Sequence, residues 1–451
     1  MSNGFANLLQ RHLSRGEPRR ASRGAMAVLA LTASLTVPAC VVVPPDPEKA
    51  AVVKAPPVTP GVALGQPQEF FDPQGIHQVA LTLPADQWKK YLDRVENPVV
   101  DAAEVYVEAD VTIDGASYGK VGIKDFGVGS QILNPEKPNI RIKFDEIVPE
   151  AEGPEKLDNL RLKAAGQDPT FLREQLANDL VRAAGGHSPR WSWARVSVNG
   201  KAYGLYIALE HVDKRMYKRL FDNKDGNQYD PMGGCLALNC PAKGCDGLKS
   251  YYEADPGDFT TLIQLAKVVH DAPDSELLAK MEPLANVDGL LALYAVEALA
   301  SNYDGLLSAG HNFRIYQDSA TGKLNFFGRS MDLSFGVWEV TYDIKTPWGE
   351  PNTWCKNRND KFYSRAWSSP QVKEKLMAKF RTLQCGAMRP DAAKAWLRDM
   401  RSRIHPERMA EVSPTFTPAE EAASYVLLEN YIDQRGKELE KLLGKCPAPA
   451  Q

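Results

Sequence analysis

Six polar residues between Ser301 and Gly336 are of types that do chemistry on phosphate or with a metal ion: Asn302, Asp304, His311, Asn312, Ser330 and Asp332. Carboxylate and carboxamide oxygens suit hard divalent cations. A positioned carboxylate also takes a proton from an attacking hydroxyl. Between these residues lie two short β-runs, 312–316 and 324–327, joined by a turn containing Gly322. A hairpin brings its two ends together, so the first four residues would meet the last two at one spot.

Other chemistries fit less well. Asp304 and Asp332 could serve as the acid and base of glycoside hydrolysis, but that mechanism needs a defined carboxyl separation and nothing else in the chain supports it. A Ser–His–Asp hydrolase fails because no Gly-x-Ser-x-Gly segment accompanies His311. His311 reads as a hydrogen-bonded histidine at a strand start. Cys235-x4-Cys240-x4-Cys245 is spaced too widely for the tight pairs of structural zinc.

The elements that must position these groups follow in chain order. Strands are predicted at 79–83 and 104–113, with a short helix over 85–95 between them. Gly127, Gly129 and Ser130 form a glycine-rich loop whose backbone amides can approach phosphate oxygens; an ordinary turn fits the same residues. The strand after it, 137–144, sets Arg141 and Lys143 on one face and Ile140, Ile142 and Phe144 on the other. Asp168 is expected to cap a helix running to Ala184, with Arg173 and Glu174 as a structural ion pair or as residues that position a nucleotide site. Asn199-Gly200 marks a hairpin over 194–210. Val287 to Ala300 is apolar all round and reads as a buried helix. Thr417-Pro418-Ala419-Glu420 is a capping box opening the last helix.

Asn302-Tyr303-Asp304, His311-Asn312 and Arg329-Ser330-Met331-Asp332-Leu333-Ser334-Phe335-Gly336, in that order, resemble the motifs of the CotH family of secreted, kinase-like proteins. The segment Asn199-Gly200 through Tyr203-Gly-Leu-Tyr206 to Glu210 and Asp213 is similar to the family as well. The third motif departs from the family's Trp-Asp-x-Asp: its first Asp is Ser330 here. The resemblance runs from about Phe70 to Leu443. It implies an α+β, divergent protein-kinase-like two-lobed fold, with a mixed or antiparallel sheet and a helical C-terminal part.

It also implies residue roles. Asp304 would be the catalytic carboxylate, and Asn312, eight residues later, a metal ligand or an orienting group for that carboxylate. Lys143 would hold the nucleotide phosphates, with Arg141 as substitute and Glu210 as the partner that orients the lysine. Asp332 would take over the metal from Ser330. The cofactors implied are ATP with Mg²⁺ or Mn²⁺, and the reaction is transfer of the γ-phosphate to Ser or Thr of an exported protein. If the carboxylate lost at position 330 supplied about a thousandfold in rate, the barrier rises by about 4 kcal/mol. Two further readings therefore stay open: a nucleotide-binding homologue with impaired catalysis, and a surface assembly or adhesion protein that uses no nucleotide.

The chain has 451 residues, 43% hydrophobic and 25% charged, with a net charge of −3. No basic excess points to nucleic acid. Residues 1–40 read as a signal segment with a basic start, an apolar run over 26–36, and Val37-Pro-Ala-Cys40. That pattern places lipidation at Cys40 and predicts an envelope lipoprotein whose only membrane contact is its anchor. Residues 41–69 read as a Pro-rich linker and 70–446 as the kinase-like domain. Of seven cysteines, six remain besides Cys40, which suits disulfides in an exported chain. One pair is expected within 230–250, and Cys446 is expected to tie down the C-terminal helix.

Overall fold

The computed structural model describes residues 69–96, 105–127, 134–232, 238–241, 244–337, 340–347, 360–411 and 414–447. Cys40, Gly129, Ser130, Cys235 and Cys355 lie outside the described residues, as do the signal segment and nearly all of the linker.

The N-terminal half is built on β1 (Ile76–Thr82), β2 (Val107–Ile113), β3 (Ala116–Lys124), β4 (Ile140–Lys143), β5 (Asn159–Lys163), β6 (Trp191–Val198) and β7 (Lys201–Glu210). They close into a barrel in the order β1-β2-β3-β4-β5-β7-β6. Its pairs are antiparallel except β1 with β6, which is parallel. Alternation in the sequence explains the closure: each strand sends every second residue inward. Val79, Val111, Val121, Ile142, Leu160, Leu162 and Tyr206 fill the interior. The Asn199-Gly200 turn holds φ of 50° and 78°, the left-handed pair that a two-residue hairpin requires. Helix α1 (Ala85–Glu96) covers the barrel through Tyr91, whose hydroxyl donates to the Asn139 carbonyl at 2.7 Å.

Helix α2 (Arg173–Ala183) packs behind the barrel. It begins later than the sequence suggests. Leu172 occupies the cap position, yet Asp168 still accepts the Arg173 amide at 2.9 Å. The expected Arg173–Glu174 pair does not form: Arg173 donates to Asp168 at 2.6 Å and Glu174 turns elsewhere.

After α3 (Lys214–Phe221), a second sheet has β8 (Gln228–Pro231), β9 (Tyr252–Asp255), β10 (Phe313–Gln317) and β11 (Leu324–Gly328), in the antiparallel order β11-β10-β8-β9. The helical part comprises α4 (Thr260–Asp271), α5 (Leu277–Met281), α6 (Val287–Ala300), α7 (Leu306–Ala309), α8 (Lys361–Ser368), α9 (Pro370–Cys385), α10 (Pro390–Met409) and α11 (Pro418–Leu443). Every residue of α6 except Asp288 is buried, as its largely apolar sequence demands, and Glu297 is the one carboxylate buried with them. Truncating Leu290 in its first turn to alanine would cost about 2–5 kcal/mol. The fold is thus a mixed α+β body with an N-terminal barrel and a largely helical C-terminal part. Among the described residues no helix is long and apolar enough to cross a membrane.

Two disulfides agree with expectation. Cys240–Cys245 staples the segment between β8 and β9, so these two cysteines are not free for zinc. Cys385–Cys446 ties the chain beyond α11 to the end of α9. Behind the barrel, Glu411 accepts from Lys137 Nζ at 2.8 Å, from the Leu205 amide at 3.1 Å and from Arg408 at 2.7 Å. Gly204, at φ +88°, makes room for it: a Cβ there would sit 2.8 Å from the Glu411 side chain.

Candidate active site

Strand β5 reads Asn-Leu-Arg-Leu-Lys, and its alternation decides the site. Leu160 and Leu162 enter the barrel core, which leaves Asn159, Arg161 and Lys163 on the opposite face. There Lys163 Nζ lies 2.6 Å from Glu174 Oε2 and 2.7 Å from Asp332 Oδ1, with all three side chains buried. Burial alone would discharge the ammonium. The fields of Asp332 and Glu174 outweigh burial, and the Lys163 pKa ends above its ordinary value. Asp332 is pushed up, first by burial and then by Glu174, because two carboxylates share one cation.

The segment carrying Asp304 runs alongside that of Asp332. The Tyr303 amide donates to the Leu333 carbonyl at 2.8 Å, and the Phe335 amide to the Ala300 carbonyl at 2.6 Å. Asn312 Nδ2 donates to Asp304 Oδ2 at 2.8 Å and to its carbonyl at 2.9 Å, fixing the carboxylate. Across the base of the β10–β11 hairpin the Arg329 amide donates to the Asn312 carbonyl at 2.8 Å. Both Asn312 and Ser330 are held at positive φ, 48° and 53°. The two ends of the hairpin therefore do meet, and Asp304, Asn312, Ser330 and Asp332 gather there.

Buried groups below hold this loop. Glu297, inside α6, accepts from the amides of Leu306 and Leu307 at 3.1 and 2.8 Å and from Asn302 Nδ2 at 3.2 Å. Burial pushes its pKa up to about 7 against those donors. Ser301 Oγ receives Arg435 Nη2 at 2.6 Å and meets Tyr431 at 2.8 Å, so α11 braces the end of α6. Nδ1 of His311, expected to be hydrogen-bonded, has no partner among the described residues.

Two expected partners do not come together. Lys143 lies 2.6 Å from Glu146, and Glu210 is gripped by Arg190 and Arg219 at 3.0 and 2.7 Å. The expected Lys143–Glu210 pair does not form, whereas Lys163 and Glu174 are paired. Arg141 donates to Asn159 at 2.9 Å, one strand away from Lys163. Gly127 lies three residues beyond β3, exposed, at φ +76°. The missed signal was β5 itself. Its sequence marks are a lysine that ends an alternating strand and a glutamate in the first turn of the next α-helix.

A cavity of about 570 Å³ is lined by Lys143, Asn159 and Arg314 together with carboxylates that include Asp145, Asp158, Asp213 and Asp230, while Lys163, Asp304, Asn312 and Asp332 are not in its lining. Its lining suits a polar, charged ligand. The Lys163 ammonium, supported on one side by Glu174, fits a polyphosphate. Among the described residues no group of three or more His, Cys, Asp and Glu could hold a metal ion. A Mg²⁺ ion that keeps phosphate and water ligands asks less of the protein, and the side-chain oxygens of Asp332 and Asn312 are of the kind that would hold one.

The CotH kinase protein family profile matches residues 126–439, and the chain belongs to that family. It is similar to Invasin CotH3 of Rhizopus delemar, 22% identical over 257 residues, covering 54% of this chain and 42% of that protein. It is also similar to Inner spore coat protein H of Bacillus subtilis, 27% identical over 185 residues, covering 39% of this chain and 50% of that protein. The matches thus span half or less of the length of these relatives. The Helicobacter pylori proinflammatory kinase CtkA superposes with a TM-score of 0.32 and 10% identity, over 68% of this chain and 96% of that one, a likeness too low to carry weight.

Proposed function

We propose that this member of the CotH kinase family transfers the γ-phosphate of ATP to a serine or threonine hydroxyl of an exported surface or envelope protein. The buried contact of Lys163 with Glu174 and Asp332 carries the reading, because it unites a strand lysine, a helix glutamate and a loop aspartate as phosphoryl transfer requires. ATP supplies the transferable group; Mg²⁺ or Mn²⁺ would be held by Asp332 and Asn312 and would neutralise charge on the phosphates. Lys163 grips phosphate oxygens, and Glu174 keeps its ammonium in place. Asp304, fixed by Asn312, accepts the hydroxyl proton as the acceptor oxygen bonds to the γ-phosphorus. The bond from that phosphorus to the bridging oxygen breaks, and ADP departs with the electron pair. The disulfides support export, and in the same reading Cys40 carries the lipid that anchors the chain.

Ser330 supports a second reading. It stands where the family motif has a carboxylate, which favours nucleotide binding with slow or no transfer. Relatives named as a spore coat protein and an invasin fit a surface role for such a chain, with or without nucleotide.

The test is calorimetric ATP binding to the full chain with and without Mg²⁺ or Mn²⁺, together with transfer of labelled phosphate to envelope protein. Asp304→Asn is expected to lower transfer by about 10²–10⁴-fold with ATP affinity kept. Binding without transfer would shift the conclusion to the second reading. A folded chain that binds no ATP would overturn the kinase reading.

A further inference from the structure

On the cleft face of β5, Arg161 lies between Asn159 and Lys163. It is 9% exposed, and its guanidinium stacks 4.2 Å from the centre of the Phe126 ring. Among the described residues it makes no hydrogen bond and no ion pair. Its cationic neighbours differ in this. Arg141 donates to Asn159 at 2.9 Å, while Arg314 and Arg329 share Asp230 at 2.6 and 2.7 Å. The carboxylates that act on Arg161, Glu174 and Asp332, are both bonded to Lys163.

The same spot holds a second orphan. His211 is 7% exposed, and its Nδ1 has no hydrogen-bond partner. Arg141, Arg314, Arg161 and Arg329 all bear on it electrostatically, and with burial they hold it well below its ordinary pKa. The Arg161 donors are open to the cleft and unfilled by protein acceptors among the described residues, a setting in which a guanidinium suits an anion. Cations crowd this spot, and Asp230 is already shared by two of them.

We infer that Arg161 is a second phosphate-gripping cation of the nucleotide site, acting beside Lys163 on the phosphate chain of a nucleoside triphosphate. This rests on the kinase reading and assigns the residue that handles the inner phosphates. Alternate residues on a strand lie about 7 Å apart. Asn159 lines the cavity, Arg161 follows, and Lys163 ends the row at Asp332. The row leads over about 13 Å from the cavity to the triad. A nucleoside in the cavity would thread its phosphates past Arg161 to Lys163. The planar guanidinium, held against Phe126, presents a fixed fork to phosphate oxygens.

The test titrates ATP, inorganic tripolyphosphate and adenosine into the full chain by calorimetry, with Mg²⁺ and with a chelator. The wild type is expected to bind tripolyphosphate in both conditions. Arg161→Met is expected to weaken tripolyphosphate and ATP by about tenfold or more and to leave adenosine unchanged. Should that variant fail to fold, Arg161→Lys carries the test, since it keeps the charge and loses the fork; a severalfold loss for the two anions alone is expected. Equal affinity of wild type and variant for tripolyphosphate would overturn the inference while ATP binding kept the kinase reading. Tripolyphosphate binding lost with Arg161, in a chain that binds no ATP, would keep the anion site and overturn the nucleotide as its ligand. A folded wild type that binds neither would overturn both.

Discussion

Lys163 and Asp332 stand 169 residues apart in the chain and 2.7 Å apart in space. The contact joins the last residue of a barrel strand to the loop that follows the β10–β11 hairpin. The barrel and the helical part thus share the ion pair on which the site depends.

Removing the cation tests this directly. Lys163→Met leaves Glu174 and Asp332 buried without their shared partner. We expect a loss of about 3–5 kcal/mol in unfolding free energy, read by urea titration, together with loss of phosphoryl transfer. The deficit should shrink as the pH is lowered, because protonation relieves the stranded carboxylates. An unchanged denaturation midpoint at neutral pH would show that the triad does not hold the parts together.

Glu297 sets a pH dependence of opposite sense to an exposed salt bridge. Its folded pKa of about 7 lies above the ordinary 4.5, so between these values the folded state holds the extra proton. Stability from this group is therefore full below about pH 4.5 and falls by about 3 kcal/mol as the pH rises to 7. Asp213 and Asp360, both raised to about 6 by burial, push the same way from 3.8 upward. Glu297→Gln should be less stable than the parent at pH 5, with the gap narrowing toward pH 7. A parallel pair of stability curves would remove Glu297 as the titrating group.

Ser330 offers a gain-of-function test. It is half-buried at φ +53°, a conformation aspartate tolerates well. Ser330→Asp places a carboxylate two residues before Asp332, where the resemblance to the family motif expects one. Metal-dependent transfer is expected to rise, by up to about a thousandfold if the lost carboxylate accounts for about 4 kcal/mol. No change in rate or in metal dependence would mean that Asp332 already supplies what the site needs.

Much of the framework was legible in the sequence. The β10–β11 hairpin, the largely apolar α6, the Asn199-Gly200 turn and the Thr417–Glu420 capping box are local patterns, and each formed where its residues specify. The meeting of Asp304 and Asn312 with Ser330 and Asp332 followed from the hairpin alone. The lysine did not. Lys143 and Lys163 both end short alternating strands, and on local pattern either can hold a phosphate. What separates them is the long-range pairing of β5 between β4 and β7, with α2 behind, which no local spacing encodes. Glu210 likewise ends an apolar strand, but that end lies near Arg190 and Arg219. Asp168 reads as a cap because a capping aspartate and an aspartate that holds a helix start from five residues upstream look alike in sequence.

The clasp around Glu411 bears on how the molecule breathes. It ties Lys137, just ahead of β4, and the β7 backbone to the link between α10 and α11, and Glu407 adds a contact to Arg195 at 2.5 Å. With the Lys163–Asp332 pair, the barrel is pinned to the helical part at two separate places. A frame held twice has little freedom to swing open as a clam does. A ligand entering it spends little of its affinity on closing the site, and the energy saved goes into tighter capture. Catalysis in such a frame would rely on small local shifts of side chains and loops in place of one large hinge motion.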